Sequence, residues 1–180
     1  SRLGSFGALA LFFVLSIKVA ALAALAGMPP LHALGSCCLA GLLGRCQVFA
    51  GMRLPSARPG GLGAMMHDGM KPRYAYTALG LCLAACLVMG RHGLYSLLAA
   101  GLVAFWLLSA ARKRIGGVTG DVFGALIETT ECAVLAACCL LYQIPQVAGI
   151  FSMTQVPMVT FAVVALLCLF NVALMRTRLG

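Results

Sequence analysis

The sequence predicts an all-α fold, a polytopic integral membrane bundle of about six helices, each near the 20 apolar residues that span a bilayer. Three observations carry this. Of 180 residues, 62% are hydrophobic and 9% charged, against roughly 25% charged in a soluble domain. That composition also excludes intrinsic disorder, which needs low hydrophobicity. The apolar residues form continuous Leu/Ala-rich runs without the alternation of a β-barrel strand. Proline and glycine then fall between the runs, where helices stop.

Taken in order, the expected spans are residues 6–26, 31–50, 74–89, 93–111, 122–142 and 156–175. Pro29 and Pro30 end the first. The second runs into a long connection, residues 51–73, that holds Pro55, Pro59, Gly60, Gly61, Gly63, Gly69 and Pro72. The third span is the shortest. Pro145 follows the fifth.

Charge gives the orientation. With the N-terminus in the cytoplasm, that side holds Arg2, Arg53, Arg58, Lys71, Arg73, Arg112, Lys113, Arg114, Arg176 and Arg178, and the other side holds Arg91. The positive-inside rule therefore predicts N-in/C-in. The net charge of +9 is then a topology signal and an attraction to anionic headgroups. No aromatic-interleaved basic stretch accompanies it, so nucleic acid is not an expected partner.

Nine cysteines are present, none in a Cys-x-x-Cys pair and nearly all inside apolar runs. They read as small core residues rather than as zinc ligands or a disulfide framework. His32, His67 and His92 read as interfacial polar residues. Trp106, Tyr74, Tyr76, Tyr95 and Tyr142 sit near span ends, as aromatic-belt residues do. Two cations stand inside spans. A charge at mid-membrane costs about 3 kcal/mol on insertion scales. Arg45 is close enough to a span end to snorkel. Lys18 lies deeper and calls for an acidic partner or a polar cavity.

Only four acids occur, and Asp121, Glu128 and Glu131 fall within eleven positions. They follow the basic cluster Arg112-Lys113-Arg114 and the glycine-rich turn Gly116-Gly117-Val118-Thr119-Gly120. At about 100° per residue, the three acids and Gly124 share one helix sector of about 80°. Asp121 and Glu128 stand about 10 Å apart along the axis, whereas Glu128 and Glu131, at i and i+3, can share one ion. Carboxylates suit Mg²⁺ or Ca²⁺, and a bared backbone before a helix N-terminus suits phosphate. A metal-bridged phosphate site is one reading. In the other, Thr119 caps the helix, Asp121 complements its dipole, and the two glutamates pair with Lys18 or Arg45. The segment 54–73 carries Arg58, His67, Lys71, Arg73 and Asp68 on the same side. It reads either as a cationic lid over an anionic substrate or as a positive-inside loop.

The run Gly116 to Asp121 with Gly124, Glu128 and Glu131 resembles the cobalamin synthase family, the adenosylcobinamide-GDP ribazoletransferases. Ser1-Arg2-Leu3-Gly4 with Phe6-Gly7 resembles that family's Ser-Arg-x-Gly-x-Phe-Gly segment, and Lys18 falls where it has a lysine. Ala57-Arg58-Pro59 with Gly61-Leu62-Gly63 resembles its Ala-Arg-Pro-x-Gly-Leu-Gly loop. The resemblance covers residues 1–142 and leaves 143–180, with the sixth span, as an additional unassigned segment. The family's acidic motif upstream of the Ser-Arg-x-Gly segment is not found here, so the chain is expected to be a fragment or a truncated form of a longer protein.

The resemblance implies a multi-pass transferase of the bacterial cytoplasmic (inner) membrane, with its active face cytoplasmic. It would join α-ribazole, or its 5′-phosphate, to adenosylcobinamide-GDP with release of GMP, using Mg²⁺. Asp121 and Glu128 would be catalytic. Arg58, Gly117, Thr119, Gly120 and Lys18 would bind phosphate or substrate, and Asp121, Glu128 and Glu131 would hold metal. The lipid bilayer is a partner, and a second copy of the chain is a further candidate. The competing class is a transporter that relays protons or cations through Glu128, Glu131 and Lys18. A phosphate cradle has no use in such a protein, and no inverted repeat is visible.

Overall fold

The computed structural model describes residues 5–58, 60–61, 63–65 and 72–143. Five helices fill them: α1 (Ser5–Ala26), α2 (Pro30–Gly51), α3 (Pro72–Val88), α4 (Arg91–Ile115) and α5 (Gly120–Gln143). Four are long and apolar enough to cross a membrane, and α3 is a shorter apolar helix. The protein is an all-α membrane bundle, as its composition requires. The expected span 156–175, the Ser1 to Gly4 motif, His67, Asp68 and Lys71 lie outside the described residues.

The helices run up and down. Pro30 opens α2 at a position where a helix donates no N–H anyway. Gly90, at φ 55°, turns α3 into α4. Gly116, at φ 75°, closes α4 in the left-handed conformation, its N–H bonded to the Arg112 carbonyl. Arg112, Lys113 and Arg114 occupy the last turn of α4, where cations complement the helix dipole.

α5 is the hub and packs against α1, α2 and α4, while α3 packs on α2 and α4. The Cys132 and Cys139 thiols donate to the Val14 and Ala21 carbonyls, which sets α1 parallel to α5. Lipid is as apolar as leucine, so close approach rather than water exclusion holds membrane helices together. The buried residues of α2 show it: Ser36, Ala40, Gly44, Val48 and Gly51 recur at helical spacing. α4 answers with Gly93, Ser96, Ala100, Ala104 and Ala111. Leu25, Leu39, Leu43, Val134 and Cys138 fill the space between.

Three side chains read as separate interfacial residues are in fact one cluster. The His32 and His92 rings lie 4.4 Å apart, and Tyr142 lies 5.2 Å from His32, at the end of the bundle remote from Asp121. The described cysteines are all free; Cys82, Cys86, Cys132, Cys138 and Cys139 are buried core residues, whereas Cys37 and Cys38 are exposed.

Candidate active site

At the other end two loops distant in sequence are clasped. The Val118 N–H donates to the Pro55 carbonyl, and the Ala57 N–H donates to the Val118 carbonyl, each at 2.9 Å. Ser56 and Val118 thereby form an isolated parallel bridge. Gly117 is buried here, and a Cβ on it would strike the Pro55 carbonyl. A Cβ on Gly51 would meet the Phe123 ring at 2.6 Å, so α2 also approaches α5 through a glycine. Val48, Met52, Val118 and Phe123 make the small apolar core beneath the clasp.

The clasp carries two groups of expected site residues. Arg58 lies one residue beyond Ala57, its side chain exposed, and a tight bend fixes its backbone: the Ser56 hydroxyl and the Gly61 N–H both donate to its carbonyl. On the partner loop, the Thr119 hydroxyl accepts the Val122 N–H at 3.4 Å, and its carbonyl accepts the Phe123 N–H. Thr119 is therefore the N-cap of α5. Gly120 opens the helix and Asp121 stands exposed on its first turn, where an acid complements the dipole.

Deeper along the same face of α5, Glu128 and Glu131 meet α1. The Lys18 ammonium lies 2.5 Å from Glu128 Oε2 and 2.7 Å from Glu131 Oε2. The second oxygen of Glu131, Oε1, accepts from Arg45 at 3.0 Å. Arg45 also donates to the Gly41 carbonyl. Three helices are thus joined by a neutral set of two cations and two anions. The members differ in freedom. Glu131 is 17% exposed with both oxygens engaged, whereas Glu128 is 48% exposed and holds Lys18 alone. The pairing of the glutamates with Lys18 and Arg45, one of the two sequence readings, is what the fold displays. Among the described residues, no three His, Cys, Asp or Glu side chains converge to enclose a metal ion. Glu128 and Glu131 instead share the Lys18 ammonium.

One residue escaped the sequence reading. Arg53 follows α2, half-buried, and its Nε is sealed from solvent without a hydrogen-bond partner. Burial holds its guanidinium below the usual arginine pKa, an effect that nearby Tyr76 partly offsets. The only sequence signal was its place, the first cation after the second span.

The profile of the family described as cobalamin-5-phosphate synthase matches residues 1–139. The chain belongs to that family. Adenosylcobinamide-GDP ribazoletransferase of Pseudomonas paraeruginosa is 41% identical over 142 residues, covering 77% of this chain and 56% of the relative. Proteins of the same description from Syntrophobacter fumaroxidans and Citrobacter koseri are 43% and 40% identical, over 79% and 76% of this chain. The chain spans about half the length of the curated relatives it matches, 56% of the first. No solved structure matches it. The matched region of the cobalamin-5-phosphate synthase family takes in all five helices almost to the end of α5, and with them the clasp and the ion-pair set.

Proposed function

We propose that this chain supplies part of a membrane transferase that joins α-ribazole, or its 5′-phosphate, to adenosylcobinamide-GDP and releases GMP. The observation that carries the reading is the clasp. It sets the Arg58 bend against the turn that opens α5, and both segments bear the family's motifs. In the reaction a ribose hydroxyl oxygen forms a bond to the phosphorus on the cobinamide side, and the bond from that phosphorus to the bridging oxygen breaks, so GMP departs with the electron pair.

Each residue has a share in this. The uncapped N–H groups at the start of α5 and its dipole favour a phosphate oxygen there. Arg58 can grip phosphate through two parallel hydrogen bonds. Thr119 and Gly117 act through the fold, the first by capping α5 and the second by admitting the Pro55 carbonyl. Glu128, half-exposed and singly bonded, can accept the proton of the attacking hydroxyl. Lys18 and Glu131 fix its position.

Mg²⁺ fits the donor set in part: Asp121 and Glu128 each offer hard carboxylate oxygens but stand about 10 Å apart along α5, too far to share one ion, and Glu131 has both of its own committed. When bound, the metal would neutralise pyrophosphate and leaving-group charge. The remaining ligands would come from the part of the relatives' length that this chain does not span. We further infer an inner-membrane location with Arg58 and Asp121 facing the cytoplasm, from the positive-inside asymmetry. Relay of protons through Glu128, Glu131 and Lys18 has less support, because Glu131 is held between two fixed cations.

Asp121→Asn in a full-length protein tests the reading. It is expected to abolish Mg²⁺-dependent joining of α-ribazole to adenosylcobinamide-GDP while membrane insertion stays intact. Undiminished joining by that variant overturns the role of Asp121.

A further inference from the structure

Where α3 meets α2, two thiols touch. Cys82 on α3 donates its S–H to the sulfur of Cys46 on α2, with 2.6 Å between the sulfurs. That is within about 0.6 Å of the S–S bond length. Backbone of the opposite helix holds each thiol in place. The Cys46 thiol donates to the Ala78 carbonyl of α3 at 3.3 Å, and the Cys82 thiol also reaches the Leu42 carbonyl of α2 at 3.8 Å. Both cysteines are free. They differ in access. Cys82 is 1% exposed, whereas Cys46 is half-buried and stands beside Arg45, whose side chain is largely exposed. A partly open thiol backed by a second thiol is the arrangement in which oxidation stops at a disulfide. The sulfenic acid formed first condenses with its neighbour before further oxidant carries it to the irreversible acids.

We propose that Cys46 and Cys82 are a reversible redox pair that, on reaction with a peroxide, joins α2 to α3 by a disulfide. The Cys46 sulfur attacks one oxygen of hydrogen peroxide. The O–O bond breaks, an S–O bond forms, and water leaves with the thiol proton. The Cys82 sulfur then attacks the Cys46 sulfur, the S–O bond breaks, and a second water leaves with the Cys82 proton. In all, two thiols lose two electrons and the peroxide is reduced to two waters. Hydrogen peroxide is small and uncharged, so it can enter an apolar bundle that excludes ionic oxidants. The link would span 36 positions and enclose the whole connection that carries Arg58. Among the described helices α3 packs on α2 and α4 alone, so the disulfide would make a lightly held helix a covalent part of the bundle. This inference needs no transferase activity, so its failure and that of the proposed function are distinguishable.

The test uses the whole chain in nanodiscs. Reduced protein is treated with hydrogen peroxide, the excess is destroyed with catalase, and free thiols are capped with N-ethylmaleimide in denaturant. The digest is then mapped by mass spectrometry without reductant. The expected product is a peptide joining Cys46 to Cys82, lighter by two hydrogens than its two thiol halves and separated by dithiothreitol. Cys82→Ala leaves Cys46 without its partner, so dimedone should trap the Cys46 sulfenic acid in that variant and not in wild type. Oxidation should raise the denaturing-detergent midpoint of wild type, as closing a loop does, and leave that of Cys82→Ala unmoved. The proposal is overturned if Cys46 and Cys82 are both recovered capped after peroxide, if Cys46 becomes sulfinic acid while Cys82 stays free, or if either pairs with a different cysteine. The wild-type map needs no variant, so it decides the matter even should Cys82→Ala fail to fold.

Discussion

Replacing Glu131 by glutamine should destabilise the bundle far more than the same change at Glu128. The amide keeps the shape and loses the charge. Removing one partner of a buried ion pair costs about 3–5 kcal/mol. Lys18 keeps Glu128 after the change, so the figure falls to about 2 kcal/mol at that arm. Arg45 has a side chain 70% exposed, which places its arm in the surface class, worth at most about 1 kcal/mol. Glu131→Gln should therefore cost about 2–3 kcal/mol in all. Glu128 is half-exposed and engages one cation, so Glu128→Gln should cost less than about 1 kcal/mol. Unfolding in mixed micelles of rising denaturing-detergent content, followed by helical circular dichroism, gives both numbers. A cycle that adds Lys18→Met isolates the bond between α1 and α5, with an expected coupling of about 1.5–2 kcal/mol. Equal costs at the two glutamates, or additive costs with Lys18→Met, would refute the claim that Glu131 is the structural member and Glu128 the free one. Activity should rank the other way, with Glu128→Gln the more damaging in a full-length protein.

Gly117→Ala should break the clasp, because its methyl meets the Pro55 carbonyl; accelerated proteolysis of the 52–65 segment would show it, and an unchanged cleavage pattern would not. Gly93→Ala places a methyl against the Cys86 backbone and should lower the unfolding midpoint of the whole bundle. Thr119→Ala removes the cap of α5 and should cost about 1 kcal/mol in the same unfolding assay, while Thr119→Ser should cost little.

The spans were legible because membrane length and apolar composition leave few alternatives, and even the shortness of α3 could be read from its run. The need of Lys18 for an acid was legible too, since a charge at depth is too costly to leave alone. Which acid it takes was not. Helical phase puts Glu128 and Glu131 on one face, and only the docking of α1 shows that both turn to Lys18 while Arg45 takes the remaining oxygen. Thr119 illustrates a signal that cannot be split from sequence: a threonine before a helix start suits a cap and a phosphate equally, and the Val122 N–H shows its hydroxyl capping α5. The clasp was invisible because it is made of backbone groups, which carry no residue signature; Gly117 was its only trace. The small residues of α2 at four-residue spacing were in plain sight but were overshadowed by the leucines around them. His32, His92 and Tyr142 come from three helices, and nothing in their spacing announces a shared corner.

The clasp also bears on how the protein is made. Its two strands of backbone are separated by α3 and α4, so Pro55 leaves the ribosome well before Val118 does. Until α4 is threaded into the bilayer and the turn after it emerges, the segment around Arg58 lacks its partner, the Val118 backbone. The corner that sets Arg58 against the start of α5 thus forms only after α3 and α4 have been made. A nascent chain arrested before that turn would hold its early helices in lipid and yet lack the clasp.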